Sequence, residues 1–133
     1  MKIITQAKTI QELSQKFRRE GKTIGFVPTM GYLHDGHRSL LKACRRHNDI
    51  SILSIFVNPT QFGPQEDFQS YPRDKKKDVL LAKKENVDII FYPSEKMMYP
   101  GRYLTYIHVE KITATLCGAS RPGHFRGVAT VVG

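Results

Sequence analysis

Thr23-Ile24-Gly25-Phe26-Val27-Pro28-Thr29-Met30-Gly31-Tyr32-Leu33-His34-Asp35-Gly36-His37 is the stretch on which the fold of this 133-residue chain turns. Its first five residues form a short apolar run rich in β-branched side chains, the pattern of a buried strand. Pro28 cannot continue a central ladder and marks the strand's end. Met30-Gly31 and Asp35-Gly36 supply residues for tight turns and close approach. A helix is expected to open at His37. The stretch therefore leads from a strand, through a glycine-bearing loop, to a helix N-terminus. Such a terminus carries unpaired N–H groups and a partial positive charge, and it attracts anions.

Two more runs of the same kind follow, at residues 50–57 and 87–92, and they are bounded by Pro59 and Pro93. Helical patterns separate the runs. Residues 38–46 put Leu40, Leu41 and Cys44 on one side, and residues 74–85 do the same with Val79, Leu80 and Ala82. Residues 9–20 read as a first helix, with Thr9 and Glu12 in a capping-box spacing and Gly21 just past the end. Alternating strands and helices imply an α/β fold with an open parallel sheet. The prolines recur about every 30 residues, the length of a βαβ unit. Residues 105–109 alternate and are expected to form a fourth strand. Residues 116–125 read as a loop, and residues 127–133 as an element just beginning. The expectation is one domain over residues 1–133, the truncated front of a longer protein.

The chain is 40% hydrophobic and 25% charged, ordinary for a globular domain. Its net charge of +9 suits anionic partners, either nucleic acid or phosphorylated and carboxylated small molecules. The basic residues are dispersed, and Lys75-Lys76-Lys77 and Lys83-Lys84 read as a solvated helix face. No apolar run reaches the roughly 18 residues of a membrane helix, and no signal-peptide pattern opens the chain. A cytoplasmic location is expected, with no membrane partner. Cys44 and Cys117 form no Cys-x-x-Cys motif and are expected as free, buried thiols.

Ligands of open parallel sheets bind outside the carboxyl ends of the strands. The three prolines mark those ends, so His34, His37 and Gln61 are expected near one crevice. Two imidazoles three residues apart can both face a bound phosphate, and His changes charge near neutral pH. A metal reading of His34 and His37 needs a third ligand such as Cys44 or His47, and no protein-held metal is expected. The Gly-Lys-Ser/Thr element of a Walker loop is absent. Gln61 is either a loop amide bonded to local backbone or a binder of a carboxylate or hydroxyl. Arg121, His124 and Arg126 lie in a glycine-bearing segment that either closes on an anion or forms a surface turn.

Residues 28–37, with Ser39-Leu40 after them, resemble the phosphate-binding motif of nucleotidyltransferases with a His-x-Gly-His signature. Val57-Asn58-Pro59-Thr60-Gln61-Phe62, Asp67-Phe68-Gln69-Ser70-Tyr71-Pro72-Arg73 and residues 116–132 narrow the resemblance to the pantothenate synthetase family. It covers essentially the whole chain, with four motifs in order. The resemblance implies a Rossmann-like sheet with helices on both faces and an ATP-dependent ligase. On the same resemblance, pantoate is expected to attack the α-phosphate of ATP and β-alanine then the pantoyl adenylate, with magnesium accompanying ATP. It further implies that Met30, Gly31, Tyr32, Leu33, His34, Asp35, Gly36 and His37 line ATP. His37 is then the proton donor and His34 shares the phosphate. Gln61 takes pantoate and later β-alanine, and Val131 and Val132 line the pantoate pocket.

The family continues for about as many residues again, carrying a Lys-Asp element, a second glutamine and a Ser-Ser-Arg segment. The 133 residues alone are therefore expected to turn over very weakly or not at all. A homodimer is the family's usual state. The competing readings are a non-catalytic nucleotide- or pantoate-binding or dimerisation module, and a nucleic-acid binder suggested by charge alone. Small-molecule partners, without nucleic acid, are the expectation.

Overall fold

The computed structural model describes residues 1–101, 103–111, 113, 115 and 117–133. Leu116, which opens one of the resemblance segments, lies outside the described residues. The chain divides into two compact units. The first comprises Met1–Phe56 and Pro72–Met98, and the second Val57–Tyr71 and Tyr99–Gly133.

In the first unit, strands β1 (Lys2–Ile4), β2 (Ile24–Thr29), β3 (Ile50–Ile55) and β4 (Ile89–Phe91) form one sheet in the order β1-β4-β3-β2. Every pairing is parallel. Helices α1 (Ala7–Arg19), α2 (Asp35–His47) and α3 (Lys75–Lys84) connect the strands, and α4 (Glu95–Met98) follows β4. Successive strand side chains alternate between faces. Leu53, Ile55, Ile90 and Val27 therefore pack with Leu41 of α2 and Ala82 of α3. Ile52, Ile89, Phe91 and Ile4 pack with Ile10, Leu13 and Phe17 of α1. Helices thus cover both faces of an α/β sheet, as the resemblance implies. Leu53 and Ile90 are wholly buried, and each such side chain stabilises the fold by roughly 1.5–3 kcal/mol.

Several boundaries differ from the sequence reading. Pro28 lies inside β2 and pairs with Ser54. It is tolerated because β2 is an edge strand. Thr9 does not cap α1, which begins at Ala7 after Gln6 without a side-chain cap. The far end of α1 follows the pattern: Gly21 has φ 74, its N–H meets the Arg18 carbonyl, and the Lys22 N–H meets that of Phe17. Leu40 and Leu80 are exposed, with over half of each in solvent. Residues 105–109 are not a strand, for all their alternation, and they have no place in the sheet. The fourth strand is β1, three residues long and paired with β4. So short a strand leaves no periodicity to read.

The second unit holds a 3-10 turn (Pro59–Gln61) and helices α5 (Cys117–Ser120) and α6 (His124–Val132). A residue at Gly127 other than glycine would drive its Cβ into the Thr60 carbonyl oxygen, so α6 approaches the 3-10 turn backbone to backbone. Both cysteines are free, as expected, but Cys117 is exposed and Cys44 half-buried.

Candidate functional site

The loop leaving β2 is held at both ends. Thr29 Oγ1 donates to the Ser54 carbonyl at 2.8 Å and accepts from the Gly31 N–H at 3.2 Å. Gly31 and Tyr32 both take left-handed backbone, with φ 84 and φ 52. Gly31 suits that conformation, whereas Tyr32 needs outside support. The support is Asp78 of α3, 2% exposed. Its Oδ2 accepts from the Tyr32 N–H at 2.9 Å and its Oδ1 from the Leu33 N–H at 2.8 Å.

Helix α2 begins at Asp35, two residues before the predicted start at His37, and His34 is its N-cap. Two imidazoles build a reciprocal capping box. The Gly36 N–H donates to His34 Nδ1 at 3.1 Å, and the His34 N–H donates to His37 Nδ1 at 3.3 Å. An Nδ1 that accepts carries no proton, so each neutral ring carries its proton on Nε2. Both rings therefore keep an Nε2–H donor directed away from the cap. The ring centroids are 4.1 Å apart. Burial, and then the neighbouring His34, push the proton affinity of the half-buried His37 below its usual value, while Asp78 opposes them.

Arg38 of α2 donates from Nε to Glu85 at 2.9 Å and from Nη1 to Asp35 at 3.1 Å. An open groove of about 710 Å³ flanks the loop, with His34, Arg38, Lys77 and Lys84 on its walls. Two of the lysines read as solvated thus border the groove, and Lys77 Nζ also sits 5.7 Å from the Tyr32 ring centre. Among the described residues, no group of three or more His, Cys, Asp or Glu is placed to hold a metal ion.

Gln61, Val131 and Val132 belong to the second unit. Asn58, 1% exposed, organises the 3-10 turn there. Its Oδ1 accepts from the Thr60 N–H at 3.2 Å, Thr60 Oγ1 at 2.8 Å and the Tyr99 hydroxyl at 2.8 Å. Its Nδ2 donates to Gln61 Oε1 and the Gly127 carbonyl, both at 3.1 Å. The Gln61 amide is thereby oriented and buried. The sequence reading weighed Gln61 and missed Asn58. The one available signal was its position before Pro59, where Asn commonly caps a turn.

His124 Nδ1 lies 2.8 Å from the Gln61 carbonyl oxygen, and Arg121 Nη1 lies 3.3 Å from His124 Nε2. Arg121 Nε also pairs with Glu66 at 2.5 Å. The Gly63 N–H, and then Arg121, hold the Glu66 carboxyl below its usual range. Arg121 and His124 are thus tied into the fold around Gln61. Val131 and Val132 lie in the last turn of α6, and Val132 is half exposed.

A parallel sheet covered by helices, with a helix N-terminus framed by two histidines after its edge strand, defines an open α/β class of domain. Residues 2–133 match the model of the pantoate-beta-alanine ligase family, and the chain belongs to that family. A pantothenate synthetase from Caldicellulosiruptor bescii is 57% identical over 132 residues, covering 99% of this chain and 47% of that protein. The crystal structure of pantothenate synthetase from Thermus thermophilus matches 99% of this chain and 46% of its own, with 47% identity and TM-score 0.89. A pantoate-beta-alanine ligase from Francisella tularensis, complexed with beta-gamma ATP and beta-alanine, matches with 45% identity and TM-score 0.90 over 99% of this chain and 51% of that one. The chain spans about half the length of the curated relatives it matches. The fold is the Rossmann-like one of these structures.

Proposed function

We propose that the chain is the nucleotide-binding domain of an ATP-dependent ligase that joins pantoate to β-alanine. In the proposed reaction a pantoate carboxylate oxygen attacks the α-phosphorus of ATP, and pyrophosphate leaves. The β-alanine amine then attacks the acyl carbon of pantoyl adenylate, and AMP leaves. The observation that carries the reading is the pair of acceptor Nδ1 atoms in the cap of α2. They leave two Nε2–H donors and a helix N-terminus for phosphate oxygens.

Residues Met30 through His37 are proposed to line ATP. His34 and His37 donate to its phosphates, and His37 serves as proton donor. Burial and then His34 lower the proton affinity of His37, which favours the neutral ring as a hydrogen-bond donor to phosphate. Proton donation requires the ring first to take up a proton on Nδ1. In the second unit, Gln61 is proposed to bind pantoate and then β-alanine, with Val131 and Val132 as apolar wall. The Asn58 bond to Gln61 Oε1 supports a fixed amide there.

The donor set does not fit a protein-held magnesium ion. Both Asp78 oxygens are engaged by loop amides, and Asp35 faces Arg38. Magnesium is therefore assigned to the nucleotide's own phosphates. The cytoplasm as location and a full-length homodimer rest on family membership. Among the described residues, no helix is long and apolar enough to cross a membrane.

Calorimetric titration with ATP and with pantoate tests the reading. ATP is expected to bind the wild-type chain and to lose that binding in His37→Ala. Equal binding by both proteins overturns it. Pantothenate formation by the 133 residues alone is expected to be very weak or absent. A salt-sensitive shift with generic RNA, without ATP binding, would favour the nucleic-acid alternative.

A further inference from the structure

Asp78 is an unexpected neighbour for a phosphate. It is a fully buried carboxylate packed against a loop that is read as binding the most highly charged part of ATP. Coulomb's law alone predicts that such a charge weakens phosphate binding. Each of its two oxygens nevertheless accepts a backbone N–H, one from Tyr32 and one from Leu33. Charged acceptors make the stronger class of hydrogen bond to backbone amides.

These bonds act on the part of the loop that resists its own conformation. Tyr32 has φ 52, a backbone region that non-glycine residues avoid. Leu33, next in the chain, is 4% exposed, and its N–H bond to Asp78 is buried. The following residue, His34, caps α2 and aims the first imidazole. Gly31 completes the contact, because a Cβ there would lie 2.9 Å from Asp78 Oδ2.

We propose that Asp78 is the positioning residue of the phosphate loop. Its buried carboxylate binds the Tyr32 and Leu33 amides, holds Tyr32 in left-handed backbone, and so sets His34 and the α2 N-terminus in the geometry that receives phosphate. The proposal rests on the reading of residues 30–37 as an ATP site. It makes Asp78 favourable to ATP binding in spite of its charge. Geometry and charge therefore predict opposite signs on its removal.

Two variants of the 133-residue chain separate these effects. Asp78→Asn keeps the shape, removes the charge and replaces one acceptor with a donor. Asp78→Glu keeps the charge and displaces both oxygens by a methylene. Positioning predicts that ATP binds both variants roughly tenfold more weakly, the usual scale for losing a charged hydrogen bond. Charge alone predicts tighter binding to Asp78→Asn and unchanged binding to Asp78→Glu. Amide exchange is read alongside. The Tyr32 and Leu33 amides are expected to exchange faster in both variants, with Leu53 and Ile90 still protected to show that the sheet is intact.

Binding of ATP to Asp78→Asn as tight as to wild type overturns the proposal. Unchanged exchange at Tyr32 and Leu33 also overturns it. If only one variant folds, its affinity and its two loop amides decide by the same criteria. A wild-type chain that binds no ATP refutes the proposed ATP site, and the positioning proposal falls with it. Binding by the wild type with no loss in either variant refutes the positioning role alone.

Discussion

The loop after β2 and the turn after β3 are each pinned by one buried polar side chain, and the two pins differ in charge and in origin. Asp78 is charged and reaches its loop from 45 residues away in sequence. Asn58 is neutral and caps the turn it belongs to, with one bond to Gly127 across the second unit. Asp78 contributes two bonds to the first loop, both to a carboxylate, whereas Asn58 contributes five ordinary bonds in the second. The difference concerns how a segment is kept still. A charge concentrates the restraint in one group, and a neutral amide distributes it over its surroundings.

Substitution tests this contrast. Asp78→Ala strips two buried amides of a charged acceptor and is expected to cost about 3–4 kcal/mol. The measurement is native-state amide exchange at Leu53 and Ile90, read as the stability of the first unit. Asn58→Ala is expected to cost about 2–3 kcal/mol, because its bonds are neutral and some partners find water. Exchange at the α6 amides reports this in the second unit. A larger loss for Asn58→Ala than for Asp78→Ala would reverse the comparison.

His34→Ala removes the cap acceptor of an exposed helix end and a ring contact with His37, and is expected to cost about 1 kcal/mol. Chemical denaturation of that variant against wild type gives the value. Acid is expected to have the smallest effect. Burial and then His34 hold His37 below its ordinary value of 6.5 in the folded chain. As pH falls past 6.5 the unfolded chain takes up a proton first. The contribution is therefore complete above the unfolded value and is lost as pH falls through the folded one. Protonation also removes the Nδ1 acceptor of the cap. Thermal melts between pH 7.5 and about 5 are expected to show a decline that His37→Gln flattens. A decline of equal size in His37→Gln would assign it to other groups.

Much of this was legible in order along the chain. The apolar runs at residues 50–57 and 87–92 contain β3 and β4, trimmed at their ends. Their side chains face a core on both sides, and such strands read as continuous apolar runs. The loop from Met30 to His37 announced itself through Gly31, Gly36 and the paired histidines. Residues 105–109 misled because alternation reports a half-buried surface only when a partner strand is present. Leu80 misled because the helical face of α3 is narrower than a strip of neighbouring apolar residues suggests.

What the residues carried locally was the choice of turn, cap and strand, since those depend on neighbours a few positions apart. Asp78 shows what they could not carry. In Asp74-Lys75-Lys76-Lys77-Asp78 it reads as one more charge on a solvated helix face. Folding buries it to 2% exposure and turns its oxygens on two amides of a distant loop. A carboxylate's role follows from the donors that surround it, and packing between α3 and the β2–α2 loop supplies those donors. The histidine pair stood out as candidate chemistry through its place between a strand, a glycine-bearing loop and a helix, not through its spacing alone. Which nitrogen each ring presents was settled by the fold, because the backbone amides that claim Nδ1 take their places only when α2 begins at Asp35.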